Sequence, residues 1–327
     1  MARDHRPAFY VLEQRSGPTL LQRGVIGTID LSTPEQAVLP HEQVIADKVA
    51  RQRGIIRLVG GNPEPVLLAC RGADDTHAVL TRITGEPPVT TVTATDGTRH
   101  SLWRCDDPAQ QRIITADLAC RGALIADGHH RYAAAMEHRR HFGGRSGPWD
   151  RLLALVVDTR RHPLLLRAIH RYLPHLPARE AAIAAATVAT VDEIPRRTPA
   201  HPPRPGELVL LGDGRRWSVT GAGPEEVSDA LRGRPEAWAS LDAAVLHHLF
   251  IDRVWRTPSG ATHEVAYVHD DRHVPADGTL VLLAPPQEDD VHRLAALGTP
   301  MPQKSTSFGP KPLPWLVTYH HAHQNRG

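Results

Sequence analysis

The chain has 327 residues, of which 41% are apolar and 23% charged, enough for one large domain or two ordinary ones with a sizeable core. Lys and Arg number 38 against 36 Asp and Glu, a formal charge of +2, so a sequence-independent grip on nucleic acid is not implied and no nucleic-acid partner is expected. The longest apolar runs, LVLL and LVLLAPP, are far too short to cross a bilayer, and MARDHRPAFYVLEQ offers no signal-peptide stretch, so a soluble cytoplasmic protein is expected.

In chain order, RGVIGTIDLS reads as a strand entered by a turn at Gly17 and Pro18. PHEQVIADKVARQRG reads as a helix with Val44, Lys48 and Arg51 on one face and Gly54 as its stop. EPVLLAC, PPVTTVTATDGTRHSLWRC and GALIA are strand-like, the middle one folded at Asp96 and Gly97. A helix follows over Arg131 to Phe142, ended by Gly143 and Gly144; then come a buried strand, RLLALVVD, and the segment LLLRAIHRYLP. The stretch 174–206 is rich in Ala, Pro and Arg, and its PRRTPAHPPRP portion is the best linker. Beyond it lie a hairpin, ELVLLGDGRRWSVT, around Gly212, Asp213 and Gly214, and a helix, SLDAAVLHHLFIDRVW. Two strands, THEVAYVHD and TLVLLAPP, and a short helix, EDDVHRLAALG, capped by Gly298, complete the series. The expected class is mixed α/β (α+β) in two lobes, over 1–175 and 207–327, joined by a helix and linker at 176–206.

Four segments carry chemistry. In ALIADGHHRYAAA an apolar strand stops at Asp127 and Gly128, and His129, His130 and Arg131 open a helix. A helix N-terminus favours anions, glycine lets the backbone approach a phosphate, and arginine offers a bidentate fork. The bland alternative is an Asp127 N-cap with solvated basic residues. Glu42, in LPHEQV, lies near a predicted helix start, where an acid also complements the dipole. GTPMPQKSTSFGPKP has no helical or strand period but gathers Lys304, Ser305, Thr306, Ser307 and Lys311, the groups a phosphate loop needs, without the GxxxxGK[ST] spacing. RAIHRY places His170 and Arg171 after an apolar strand. A zinc site from His129, His130, His138 and His141 has no HExxH or cysteine support. Cys70, Cys105 and Cys120 show no CxxC spacing and read as buried free thiols.

The blocks IADGHHRYAAA, IHRYL, LDAAVLHHLF and MPQKSTSFGPKP, with RGVIGTIDL and LPHE ahead of them, resemble the domain-of-unknown-function 1015 family from about Phe9 to the end. The chain departs from that pattern in starting after the family's PYDVI-like block, in having Val44 where the family has threonine, and in having Ala168 where it has proline. More distantly, the LPHEQV and DGHHR blocks are similar to the ParB/sulfiredoxin-like superfamily, closest to its free-serine kinases, which implies a fold of that type for the N-terminal lobe. The resemblance implies Glu42 as general base, with Asp127 and His130 also catalytic. It implies a phosphate-binding turn of Gly128, His129 and Arg131, assisted by Lys304, Ser305 and Thr306. His41, His170 and Arg171 are the implied substrate contacts, and Asp127 the implied ligand of Mg2+. The expected reaction is phosphorylation of the hydroxyl of free L-serine, or a related hydroxy amino acid, by ATP, ADP or pyrophosphate. The alternative is a non-catalytic, ParB-like nucleotide-binding protein. A sulfiredoxin-like reductase needs a cysteine beside the turn, and Cys120 precedes it near a strand start.

Overall fold

In the computed structural model, which describes residues 4, 6–32, 37–195, 197–198, 201–257, 259–269, 277–302 and 304–321, the chain forms two compact units. One is Met1–Leu165 with Phe308–Gly327, and the other is Leu166–Ser307. The class is mixed α/β, as the patterning implies. No helix among the described residues is long and apolar enough to cross a membrane.

The first unit is built on one mixed sheet. Its strands are β1 (Phe9–Ser16), β2 (Thr19–Asp30), β3 (Val38–Leu39), β5 (Val66–Cys70), β6 (Thr90–Thr93), β7 (Arg99–Cys105), β8 (Ala123–Asp127) and β9 (Arg151–Asp158), with a two-residue β4 (Gly61–Asn62) outside it. The order across the sheet is β3-β8-β5-β9-β2-β1-β7-β6. Helices α1 (Ala46–Val59), α2 (Asp74–Ile83), α3 (Pro108–Ala119) and α4 (His129–Arg140) pack on it. Val49 and Ile56 of α1 and Ala134 and Ala135 of α4 meet Val66, Leu68, Ile125 and Ala154 of the strands. Val79, Leu80 and Ile83 of α2 and Ile114 of α3 meet Val11, Val25 and Trp103. The alternate residues Leu12, Ile26, Leu67, Leu124, Leu153 and Leu155 are also buried. Strands covered on both faces read as unbroken apolar runs, and this is why VLLAC and RLLALVVD are legible as strands without alternation.

Helix boundaries differ from the sequence expectation for local reasons. The helix expected from Pro40 begins only at Ala46 and continues through Gly54, whose surroundings are open, because Ile56 beyond it is buried in the core. Its stop is Gly60, at φ 67°, whose N–H donates to Ile56 O. Helix α4 starts at His129, so both histidines of the turn lie in its first turn. Strand β1 and helices α2 and α3 were not separately visible in the apolar pattern.

The second unit has an antiparallel sheet of β11 (His170–Leu173), β12 (Thr190–Glu193), β13 (Glu207–Gly212), β14 (Arg215–Thr220), β15 (Ala266–Val268) and β16 (Thr279–Leu283). Their order is β12-β14-β13-β16-β11-β15, and short strands β10 (Leu165–Arg167) and β17 (Ser307–Gly309) lie at the unit's two chain ends. Helix α5 (Ala178–Ala185), α7 (Asp242–Val245) running into a π-helical stretch Leu246–Val254, and α6 (Pro224–Ala230) and α8 (Glu288–Ala296) complete it. The division at Leu165 and Leu166 differs from the expected 175, because His170–Leu173 pairs with β16 and β15. The helix expected in 176–206 is α5, whose Ala178, Ala181, Ala182 and Ala185 enter the core, and between it and the proline-rich portion β12 pairs with β14, a strand the patterning did not separate. Of PRRTPAHPPRP, Arg196, Pro199 and Ala200 lie outside the described residues. The chain from Phe308 returns to the first unit, where β18 (Tyr319–His320) pairs with β4.

His138, buried on α4, stacks on His321 with centroids 5.5 Å apart. Burial, then the nearby His321, Arg57, His141 and Arg53, push its pKa from 6.5 down to about 4. A depressed histidine leaves stability intact above its unfolded pKa and removes it as pH falls toward the folded one. Between pH 7 and pH 5 this group alone is expected to cost on the order of 2 kcal/mol. Urea titration at both pH values should show that loss in wild type and a smaller one in His138→Gln; equal losses would contradict it.

Candidate functional site

Strand β8 is buried from Ala123 to Ala126 and ends at Asp127, where Gly128 turns the chain into α4 at φ 102°. A Cβ at that position would lie 2.8 Å from Arg131 Nε and 3.0 Å from Val66 Cγ1, so both the dihedral and the space require glycine. The first intrahelical bond is Tyr132 N–H to Gly128 O, 2.9 Å. The amides of His129, His130 and Arg131 therefore precede the helical ladder, at the positive end of the dipole.

The two imidazoles reach a segment far away in sequence. His41 N–H donates to His129 Nε2 at 3.3 Å, and Ile45 N–H donates to His130 Nε2 at 3.1 Å. An Nε2 that accepts carries its lone pair, so each ring is neutral with its proton on Nδ1. For His129, burial, followed by the proximity of His41 and His130, holds the pKa well below the usual imidazole value. Ile45 is the N-cap residue of α1, so the second bond ties the starts of α1 and α4 together. Half-buried Glu42 lies between the two tethered residues. His41 is fully buried, edge-on to His129 at 4.5 Å and to Phe308 at 5.6 Å. His41 and His129, expected to touch substrate and phosphate, are thus packed and committed to holding the Glu42 segment. Burial and the accepted bond leave the His129 ring no cationic charge to offer a phosphate.

Asp127 and Arg131 also differ from the expected arrangement. Arg131 donates to Asp127 Oδ2 at 2.5 Å and pairs with Glu64, while Lys311 Nζ stands 2.6 Å from Asp127 Oδ1. Burial lowers the Arg131 pKa to about 10, which leaves it charged at neutral pH. Both oxygens of Asp127 therefore face cations. Among the described residues no group of three His, Cys, Asp or Glu side chains could hold a metal ion. The residues present do not fit the magnesium site expected at Asp127. Glu64 was not assigned to the site from sequence, and Lys311 was singled out only as a group of the GTPMPQKSTSFGPKP loop, without a link to Asp127. Glu64 arrives because β5 runs antiparallel to β8, with Leu67 opposite Asp127, so the residues before β5 lie beyond the end of β8.

The other expected site residues belong to the second unit. Arg171 is fully buried there and donates to His247 Nε2 at 2.8 Å, to Lys304 O at 3.0 Å and to Ile169 O, with its guanidinium 4.7 Å above the Tyr267 ring. It therefore holds the main chain of the MPQKST loop at Lys304, where φ is 58°, and does not face solvent as a substrate contact would. His170 Nδ1 accepts from Leu283 N–H at 3.2 Å, and the buried Ser305 hydroxyl donates to Pro302 O at 2.6 Å. Thr306 is buried as well, and Gln303 lies outside the described residues. Of the cysteines, Cys70 and Cys105 are buried, with thiols pushed up to about 12 and about 11 by burial. Cys120 is exposed, unlike the expectation, because it follows α3 at its C-terminal end; its Sγ meets Asp117 O at 3.1 Å.

The family described as protein of unknown function (DUF1015) matches residues 1–244 of the chain. No curated protein matches it. Among solved structures it is similar to a free serine kinase in complex with AMP, at 15% identity over 87% of both chains and a TM-score of 0.41. A mutant free serine kinase in complex with ADP matches at 14% identity, 87% of both chains and 0.43. SbnI with C-terminal truncation, from Staphylococcus aureus, matches at 11% identity, 89% of this chain, 87% of that one and 0.44.

The turn geometry makes Gly128→Ala a sharp test. The left-handed dihedral and the crowding against Arg131 and Val66 should together cost about 2–4 kcal/mol, read as a lowered urea midpoint. A loss below about 1 kcal/mol would show that the turn relaxes without its glycine.

Proposed function

The chain belongs to the DUF1015 family, and we propose that within it this protein is a small-molecule phosphotransferase. Its acceptor is the hydroxyl of free L-serine or a related hydroxy amino acid, and its donor is ATP, ADP or pyrophosphate. The observation that carries the reading is the double tether of the Glu42 segment to His129 and His130, which makes a carboxylate and a helix-N-terminal turn parts of one rigid piece. Phosphoryl transfer asks a protein mainly to position reactants and to offset charge.

In this reading Glu42 accepts the proton of the acceptor hydroxyl. The hydroxyl oxygen attacks the terminal phosphorus as the bond from phosphorus to the bridging oxygen breaks. That electron pair leaves on ADP, AMP or orthophosphate according to the donor, and the proton stays on Glu42 until solvent removes it. The amides opening α4 receive the donor's phosphate oxygens, with Gly128 allowing their close approach. His130 is a positioning residue, acting through Ile45 on the approach of Glu42. The first unit alone carries this reading, and no step passes through a metal ion.

The test is production of O-phosphoserine from L-serine by the purified chain, followed by mass spectrometry with each donor in turn. Wild type should form it with at least one donor, and Glu42→Gln should lower the rate by about 10²–10⁴. No product with any donor, or unchanged turnover in Glu42→Gln, would overturn the reading. Nucleotide binding without product, lost in Arg131→Ala, would instead favour a regulatory nucleotide-binding protein.

A further inference from the structure

Two buried amides in the first unit are spent on a distant stretch of main chain. Gln14 of β1 and Gln22 of β2 sit opposite one another, 1% and 0% exposed. A buried amide costs free energy unless its hydrogen bonds are made. Gln14 Nε2 donates to Lys311 O at 2.9 Å and Gln22 Nε2 to Pro310 O at 2.7 Å, and the two side chains bond to each other. The same returning strap is fastened further along. Trp315 N–H donates to Pro63 O at 2.8 Å, His321 N–H to Gly60 O at 2.8 Å, and the Tyr319 hydroxyl to Pro148 O at 3.1 Å.

What this fastening positions is the Lys311 ammonium, 2.6 Å from Asp127 Oδ1. The local cluster then holds two cations, Lys311 and Arg131, against two anions, Asp127 and Glu64. Arg131 is 14% exposed and is clasped by both carboxylates, whereas the Lys311 side chain is 54% exposed and holds one. A polyphosphate arriving at the Gly128 turn brings several negative charges beside a balanced cluster. Lysine is a point charge on a rotatable stem, so it is the member able to swing from a carboxylate to a phosphate oxygen.

We propose that Lys311 is a phosphate-contacting residue of this site, delivered by the C-terminal strap and held by Asp127 until a polyphosphate takes it, in place of a divalent cation at Asp127. This rests on the phosphotransferase reading for its class of ligand, while the ion pair and the strap stand independently of turnover.

The test is calorimetric binding of inorganic pyrophosphate to the full chain in EDTA, using wild type, Lys311→Met and Lys311→Arg. Wild type should bind without a divalent cation, Lys311→Met should bind about tenfold or more weakly, and Lys311→Arg should stay close to wild type. Thermal unfolding of Lys311→Met should stay near wild type, since an exposed ion pair contributes little to stability. Equal affinity in Lys311→Met, binding by wild type only when Mg2+ is added, or no binding by wild type under either condition would overturn the proposal. The two readings fail separately. Lysine-dependent binding with no phosphoserine formed removes the transfer reaction and keeps the site, and turnover indifferent to Lys311→Met does the reverse.

Discussion

Two hydrogen bonds from main-chain amides to neutral imidazoles organise the first unit's functional face. They run from His41 to His129 and from Ile45 to His130, spanning 88 and 85 residues of sequence. A side chain that accepts from an amide fixes main chain, and here the fixed main chain brackets a carboxylate. The arrangement needs both rings uncharged, because protonation at Nε2 would replace an acceptor with a donor facing another donor. For His129, burial supplies that condition.

Around this frame the charges are paired rather than left open. Asp127 meets Arg131 on one oxygen and Lys311 on the other, and Glu64 meets Arg131 from just ahead of β5. A helix N-terminus favours an anion, and at this one the nearest acid side chain already has two cations. In the proposed reading, a phosphate bound there exchanges partners within this cluster of two cations and two anions. The second unit shows the same economy at Arg171, a fully buried guanidinium whose donors go to two carbonyls and an imidazole of that unit.

Much of the architecture was legible because the strands are apolar runs punctuated by Gly and Pro: RLLALVVD is β9 residue for residue, and Asp96 with Gly97 does turn the β6–β7 hairpin. Glycines misled where tertiary burial outweighed propensity, as at Gly54, which α1 crosses in order to bury Ile56. The DGHHR turn stood out as chemistry-bearing, but His129 read as a phosphate contact and His130 as catalytic, whereas both rings accept hydrogen bonds from a segment that only the sheet topology brings near. Glu64 was invisible as a site member for the same reason, and Lys311, although one of the phosphate-loop groups, gave no sign of its pairing with Asp127. One comes from just ahead of β5 and the other from a strap that re-enters the first unit after the chain has built the second. Nothing local in NPEPV or FGPKP marks a partner for Asp127.

The measurement that reaches the central claim most directly is the protonation state of the two rings. Long-range ¹⁵N–¹H NMR correlations of the imidazoles, assigned with His129→Gln and His130→Gln, distinguish the tautomers and follow their titration. The account predicts that both rings are neutral at pH 7 with the proton on Nδ1, and that His129 remains so on acidification well below the usual imidazole pKa. A His129 ring protonated on Nε2, or one titrating with an ordinary histidine pKa, would contradict it and release the Glu42 segment from the turn.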